Sequence, residues 1–213
     1  INFRPFVSKE EKILLFAAEG KNQKDIIKAI KQVINNCAVD ELDINSLSTV
    51  DIEYLFLKLR AKSINNIIKA SFKDNEDEKI YDFDIDLNKV EVKKNLENNP
   101  VILISDKVGF VLKAPDANID DVLENVTDEQ SLYDQVLKYC IVKIFDENKI
   151  YILGEDYTLD ELQEFIDSLP HETFEQIQKF FSTLPTLSYE INYKNSLGHD
   201  RKIVMNTLVD FFI

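Results

Sequence analysis

Glycine is scarce: the 213 residues contain only four, Gly20, Gly109, Gly154 and Gly198, all far apart. Loops that cradle phosphate need clustered glycine so that backbone N–H groups can approach the anion, which excludes a P-loop and a dinucleotide fingerprint. No serine occupies a G-x-S-x-G elbow. Histidine is rarer still. His171 and His199 fall at a helix start and in a hairpin turn, as solvent-exposed residues, so a cysteine nucleophile has no base. Cys37 and Cys140 are the only cysteines, far apart in a chain large enough not to need staples. They are expected as buried free thiols, which suits a reducing cytoplasm. No apolar run reaches the roughly 18 residues of a membrane span, and the start INFRPFVSKEEK has no signal-peptide pattern.

Basic residues are missing from long stretches. None lies between Lys113 and Lys138, or between Lys149 and Lys179. Residues 1–73 carry 12 Lys/Arg and 9 Asp/Glu, whereas the remainder carry 13 and 30. Such an acidic back part repels phosphate, so nucleic acid is excluded as its partner. Two readings of the charge stay open: attraction of a basic protein, or solubility alone.

What the chain does have is patterned. Ser8-x-x-Glu11 reads as a capping box opening a helix that Gly20 can end. Asn22 is a candidate cap for a second helix with an Ile26, Ile27, Ile30, Val33, Ile34, Cys37 stripe and a basic face at Lys24, Lys28 and Lys31. A third helix starts at Ser48 or Thr49 and runs to about Lys62. The expected front core is Leu14, Phe16, Ile27, Ile30, Ile34, Leu55, Phe56 and Leu59. Arg60 interrupts an apolar helix end, so it is expected to be structural, tied to a carboxylate such as Glu11 or Asp51.

The period then changes to two. Tyr81, Phe83, Ile85 and Leu87 alternate with Asp82, Asp84 and Asp86, a strand with one wet face. The three aspartates look like the start of a calcium loop, but its sixth position is Leu87 and its twelfth is Lys93, so no calcium site is expected. NIIKASFK pairs with this strand, and VEV, VILIS and VGFVLK extend the hairpin to a meander. A helix over about 128–145 follows, although Ile141–Phe145 could equally be a strand. Thr158-x-x-Glu161 is a second capping box, opening a helix with Leu159, Leu162, Phe165, Ile166 and Leu169 inward. Pro170 separates it from a further helix, making an αα-hairpin. LSYEINYK and RKIVM form a terminal hairpin. The fold class is α+β: N-terminal helices with a β-meander over 1–114, then an acidic lobe over 115–213 with a helical hairpin and a small terminal β-hairpin.

The blocks FRPFVSKEEKILLFAAE, DIIKAIKQVINNC, DIEYLFLKLRAKS, DLNKVEV, LDELQEFIDSLPHETFEQIQKFFSTLPTLSYEI and TLVDFF, in that order, resemble the phage base plate protein family of T-even-type tailed phages. The likeness runs from Phe3 to Phe212, with a divergent middle near 95–130. It implies a non-enzymatic tail-assembly protein that helps build the baseplate hub by binding hub or tape-measure proteins. The alternative it leaves open is a permanent structural subunit of the virion. It implies work in the host cytoplasm during assembly, with no cofactor and no membrane. It also implies a Cys-x-x-Cys pair in the terminal hairpin of some relatives, the pattern of a zinc knuckle. Here that segment reads YKNSLGHD, so ordinary packing is expected in place of a metal. For partner binding, the expected residues are the acidic Glu161, Glu164 and Asp167, with Phe180, Phe181, Phe211 and Phe212 as apolar anchors. Burial of those rings between lobes is the competing reading, and the Lys24, Lys28, Lys31 face is the competing surface.

Overall fold

A computed structural model describes residues 1–20, 23–123 and 126–211. Its helices are α1 (Ser8–Glu19), α2 (Gln23–Cys37), α3 (Thr49–Ser63), α4 (Ile119–Val122), α5 (Glu129–Cys140), α6 (Leu159–Asp167) and α7 (His171–Ser182). Its strands are β1 (Ile67–Lys73), β2 (Ile80–Asp86), β3 (Glu91–Lys93), β4 (Val101–Leu103), β5 (Gly109–Leu112), β6 (Ile141–Phe145), β7 (Ile150–Tyr151), β8 (Thr186–Lys194) and β9 (Asp200–Met205). The class is α+β. The strands expected to form one front meander are instead shared among three antiparallel sheets, ordered β1-β2, β3-β8-β9 and β4-β5-β6-β7.

Contacts group the chain into one unit of residues 1–93 with 185–213 and a second of residues 94–184. This differs from the 1–114 and 115–213 lobes drawn from the order of elements and the charge. The reason is the pairing of β3 with β8, Val92 opposite Leu187, which carries the terminal hairpin into the same unit as the N-terminal helices.

In the first unit, Leu57, Ile68, Ile85, Leu87, Val90, Leu187, Met205 and Phe211 form one buried cluster. Phe6, Ile30, Val33, Ile34, Ile52, Phe56 and Leu59 are also buried. Of the expected front core, Ile30, Ile34, Phe56 and Leu59 are fully inside, and Leu14, Ile27 and Leu55 are half-buried. Phe16 is not: it is 72% exposed, and Leu15 beside it also faces out. The run ILLFAA is apolar right round the helix, so its period cannot say which side meets α2. α3 is capped by Ser48, whose hydroxyl oxygen accepts the Asp51 N–H at 3.3 Å.

Lys58 on α3 is a structural cation that the periodicity did not reveal. Its ammonium donates to the carbonyls of Leu87 (3.0 Å), Asn88 (2.8 Å) and Val90 (2.8 Å). These oxygens lie in and just after the short 3-10 turn Leu87–Lys89, where carbonyls lacking a full set of backbone donors can accept from a side chain. Burial pulls the Lys58 pKa down, opposed by the nearby Asp86 and Glu91 carboxylates.

In the second unit, α5, α6 and α7 pack on one face of the four-stranded sheet. Ile102, Phe110, Leu137, Leu162, Ile166, Ile177 and Phe180 meet there, with Cys140. α5 ends at Cys140 and β6 begins at the next residue, which settles Ile141–Phe145 as a strand. Thr158 and Glu161 form a full capping box, with Thr158 N–H to Glu161 Oε2 at 2.8 Å and Glu161 N–H to Thr158 Oγ1 at 3.3 Å. Leu159 was expected inward but is exposed. It is the first residue of α6, before the first turn reaches the sheet. Both cysteines are free and buried, and burial pushes the Cys140 thiol up to about 12.

Candidate partner-binding surfaces

Two polar constructions fix the first unit. The first joins the β1–β2 turn to the β8–β9 turn. Asp74 is buried, and its Oδ1 accepts the N–H groups of Glu76 (2.8 Å) and Asp77 (3.3 Å). Its Oδ2 accepts the Tyr193 hydroxyl at 2.5 Å and Arg201 Nε at 3.0 Å. Glu76 takes the Asn195 amide at 2.8 Å and faces His199 Nδ1 at 2.7 Å. Asp77 accepts the Ser196 N–H at 2.9 Å and the Tyr81 hydroxyl at 2.6 Å. The hydrogen bond from Tyr193 leads a set of donors that hold the Asp74 carboxyl below its ordinary range, against desolvation. Gly198 sits at φ +84° in this turn, a left-handed position that suits glycine. This is the YKNSLGHD segment, fastened here by carboxylates from β1–β2.

The second construction lies at the N-terminus. Helical bonding in α1 starts with Glu11 N–H to the Val7 carbonyl, so Val7 rather than Ser8 is the capping position. Glu10, not Glu11, is then the residue that reaches back, accepting the Val7 N–H at 3.0 Å. Glu10 is buried and pairs with Arg4 at 2.9 Å, and Arg4 also donates to the Asn36 carbonyl on α2 at 2.9 Å. The Arg4 hydrogen bond, helped by the Val7 N–H, lowers the Glu10 carboxyl from 4.5 to about 2. A depressed carboxyl adds stability above its unfolded pKa and loses it as pH falls through the folded one. The hairpin of α1 and α2 is therefore expected to weaken as pH drops from about 4.5 toward 2. Denaturation midpoints at pH 5 and pH 2.5 check this: Glu10→Gln should narrow the difference between them, and an unchanged difference would count against the pair.

The predicted Arg60 contacts are arranged otherwise. Arg60 Nη1 reaches the Asn65 carbonyl at 3.4 Å. The Asp51 carboxylate accepts the Ser48 hydroxyl at 2.6 Å, nine residues back, or about 13 Å of helical rise. Glu11 is exposed on α1.

The acidic residues collect more sharply than the sequence halves suggest. Residues 94–184 carry 7 Lys/Arg and 19 Asp/Glu, a net of −12, against −2 for the rest of the chain. On α6 and α7, Asp160, Glu161, Glu164, Asp167, Glu172 and Glu175 are all exposed. Glu161 is committed to its cap, and Asp167 accepts the Gln163 amide at 2.8 Å. Of the expected aromatic anchors, Phe180 and Phe211 are buried and Phe181, on α7, is half-buried. Phe180 is 3% exposed in the second unit's core, Phe181 stacks edge-on to it at 5.2 Å, and Phe211 is buried in the first unit. Phe212 lies outside the described residues. Lys28 is exposed on α2, as the competing basic face requires.

A family model described as the T4 bacteriophage base plate protein matches residues 1–213. The chain belongs to that family. No curated protein and no solved structure matches it. As a phage base plate protein, it takes part in the baseplate or its assembly alongside other baseplate proteins. Among the described residues of this base plate protein, no cluster of His, Cys, Asp and Glu is placed to hold a metal. Nor is any described helix long and apolar enough to cross a membrane.

Proposed function

We propose that this base plate protein is a non-enzymatic assembly protein that helps build the baseplate hub by binding a hub or tape-measure protein. The observation that carries this reading is the charge division: a net of −12 on residues 94–184, with six of the nineteen acidic residues exposed on α6 and α7, within a family defined by the baseplate. An acidic surface steers a basic partner and rejects acidic ones, while apolar contact supplies most of the affinity. The acidic contribution falls to Glu164, Glu172 and Glu175, with Glu161 and Asp167 at the edge of the same face. Phe180 and Phe211 serve the two cores.

Purification of a tagged copy from infected cells, followed by mass spectrometry, tests the reading. Hub or tape-measure proteins should co-purify, and the association should slow as salt rises. Recovery of the chain alone would remove the proposal. Mass spectrometry of purified particles separates its two forms: an assembly factor is absent from the mature particle, whereas a permanent subunit is present.

A further inference from the structure

The four-stranded sheet of the second unit is apolar on both faces. The pairs Ile102↔Phe110, Phe110↔Ile144 and Ile144↔Tyr151 share one face, and this is the face that packs on the helices. Side chains alternate along a strand, so the neighbouring rows Val101↔Val111↔Lys143 and Leu103↔Gly109↔Phe145↔Ile150 occupy the other. There Leu103 is 45% and Ile150 is 52% exposed, while Val101, Val111 and Phe145 are half-buried. Phe145 lies over Gly109, with its ring 2.9 Å from where a Cβ would stand. The single charge in the array is Lys143.

An antiparallel sheet with a solvated face normally alternates apolar and polar residues. Near-continuous apolar strands such as VIL, GFVL and IVKIF are the pattern of a sheet covered on both sides. The edges of this sheet are each engaged at one point. Gln176 on α7 donates to the Leu103 carbonyl at 2.9 Å and accepts its N–H at 3.2 Å. Beyond β7, the Ile152 N–H is taken by Asp156 at 2.9 Å. Side chains thus occupy part of each edge, whereas the apolar face is left uncovered.

We propose that this bare face is the apolar anchor for a basic protein partner, which presents an apolar ridge to it and an acceptor to Lys143. The inference rests on the hub-binding reading above and gives it a docking surface. The charge selects the occupant. The unit that carries the face has a net charge of −12, which at long range steers a basic protein toward it and disfavours a second copy, the acids of α6 and α7 lying on the opposite side of the sheet.

The test uses the full chain and the hub and tape-measure proteins of the same phage, each purified singly, in binding kinetics. Leu103→Asp and Ile150→Asp should each weaken binding tenfold or more, through faster dissociation. Glu164→Gln with Glu172→Gln and Glu175→Gln should lower only the association rate, a few-fold, and flatten its salt dependence. Chemical footprinting of Lys143 on the unaltered chain gives a readout free of any folding defect: the bound partner should protect it, with Lys94 as the exposed reference. Full reactivity of Lys143 in a formed complex, or unchanged dissociation of the two aspartate variants, would overturn the docking face and leave the hub role standing. If none of the purified proteins binds the unaltered chain, the hub-binding reading fails and this inference with it. Sedimentation showing self-association lost in Ile150→Asp would make the occupant a second copy and overturn the basic-partner assignment.

Discussion

Leu162→Ala should destabilise the second unit by about 2–5 kcal/mol. Leu162 is fully buried on α6, in the cluster with Phe110, Leu137 and Ile177. A helix of nine residues is too short to persist without its apolar face packed. The truncation therefore removes both transfer free energy and the contact that holds α6 to the sheet. Leu159→Ala, three residues earlier in the same helix, should change stability by no more than about 0.5 kcal/mol, because that side chain is exposed. Urea denaturation followed by circular dichroism compares the two. Equal midpoints for both variants would show that the α6 seam has been wrongly assigned.

Gly109→Ala should cost roughly 1–3 kcal/mol, and more if the backbone cannot shift. The position needs space rather than an unusual backbone angle. An added Cβ would collide with the Ile102 carbonyl oxygen across the β4–β5 pair and come within 2.9 Å of the Phe145 ring. A carbonyl in a sheet ladder cannot rotate away as a side-chain tip can, so the strands must separate. Loss of thermal stability checks this. If the docking face proposed above holds, the same variant should also lose partner binding, because Gly109 and Phe145 are opposite each other on that face. A variant as stable as the parent would mean that β4 and β5 move apart without penalty.

The second capping box, at Thr158 and Glu161, was legible because the spacing of a cap is local: its two residues find each other within one turn. The first was misread by one position. Ser8-x-x-Glu11 fits the spacing, but Arg4 fixes Glu10 instead, and an ion pair that reaches from the extended segment before the helix leaves no periodic trace. The same limit hid Lys58, whose three carbonyl partners lie about thirty residues downstream. Arg60 drew attention by interrupting an apolar stretch, yet the cation that braces a distant turn is Lys58, two residues earlier. The doubled phenylalanines were ambiguous for another reason. A helix turns by about 100° per residue, so sequence can say that adjacent rings diverge but not how far the core extends around them.

By itself, the sequence determined the α+β class, most helix positions, the membership of the base plate protein family and the excess of acid in the back part of the chain. These follow from period, local capping chemistry, ordered blocks and composition, none of which requires distant partners. Only the tertiary structure decided that the terminal hairpin joins β3, that Asp74 and Glu76 fasten its turn, and that Phe16 faces out while Phe180 and Phe211 face in. Only it revealed a sheet apolar on both sides with one face left open. Each of these depends on which segments meet across the chain, and strand pairing between residues about a hundred positions apart is set by the packing of whole faces.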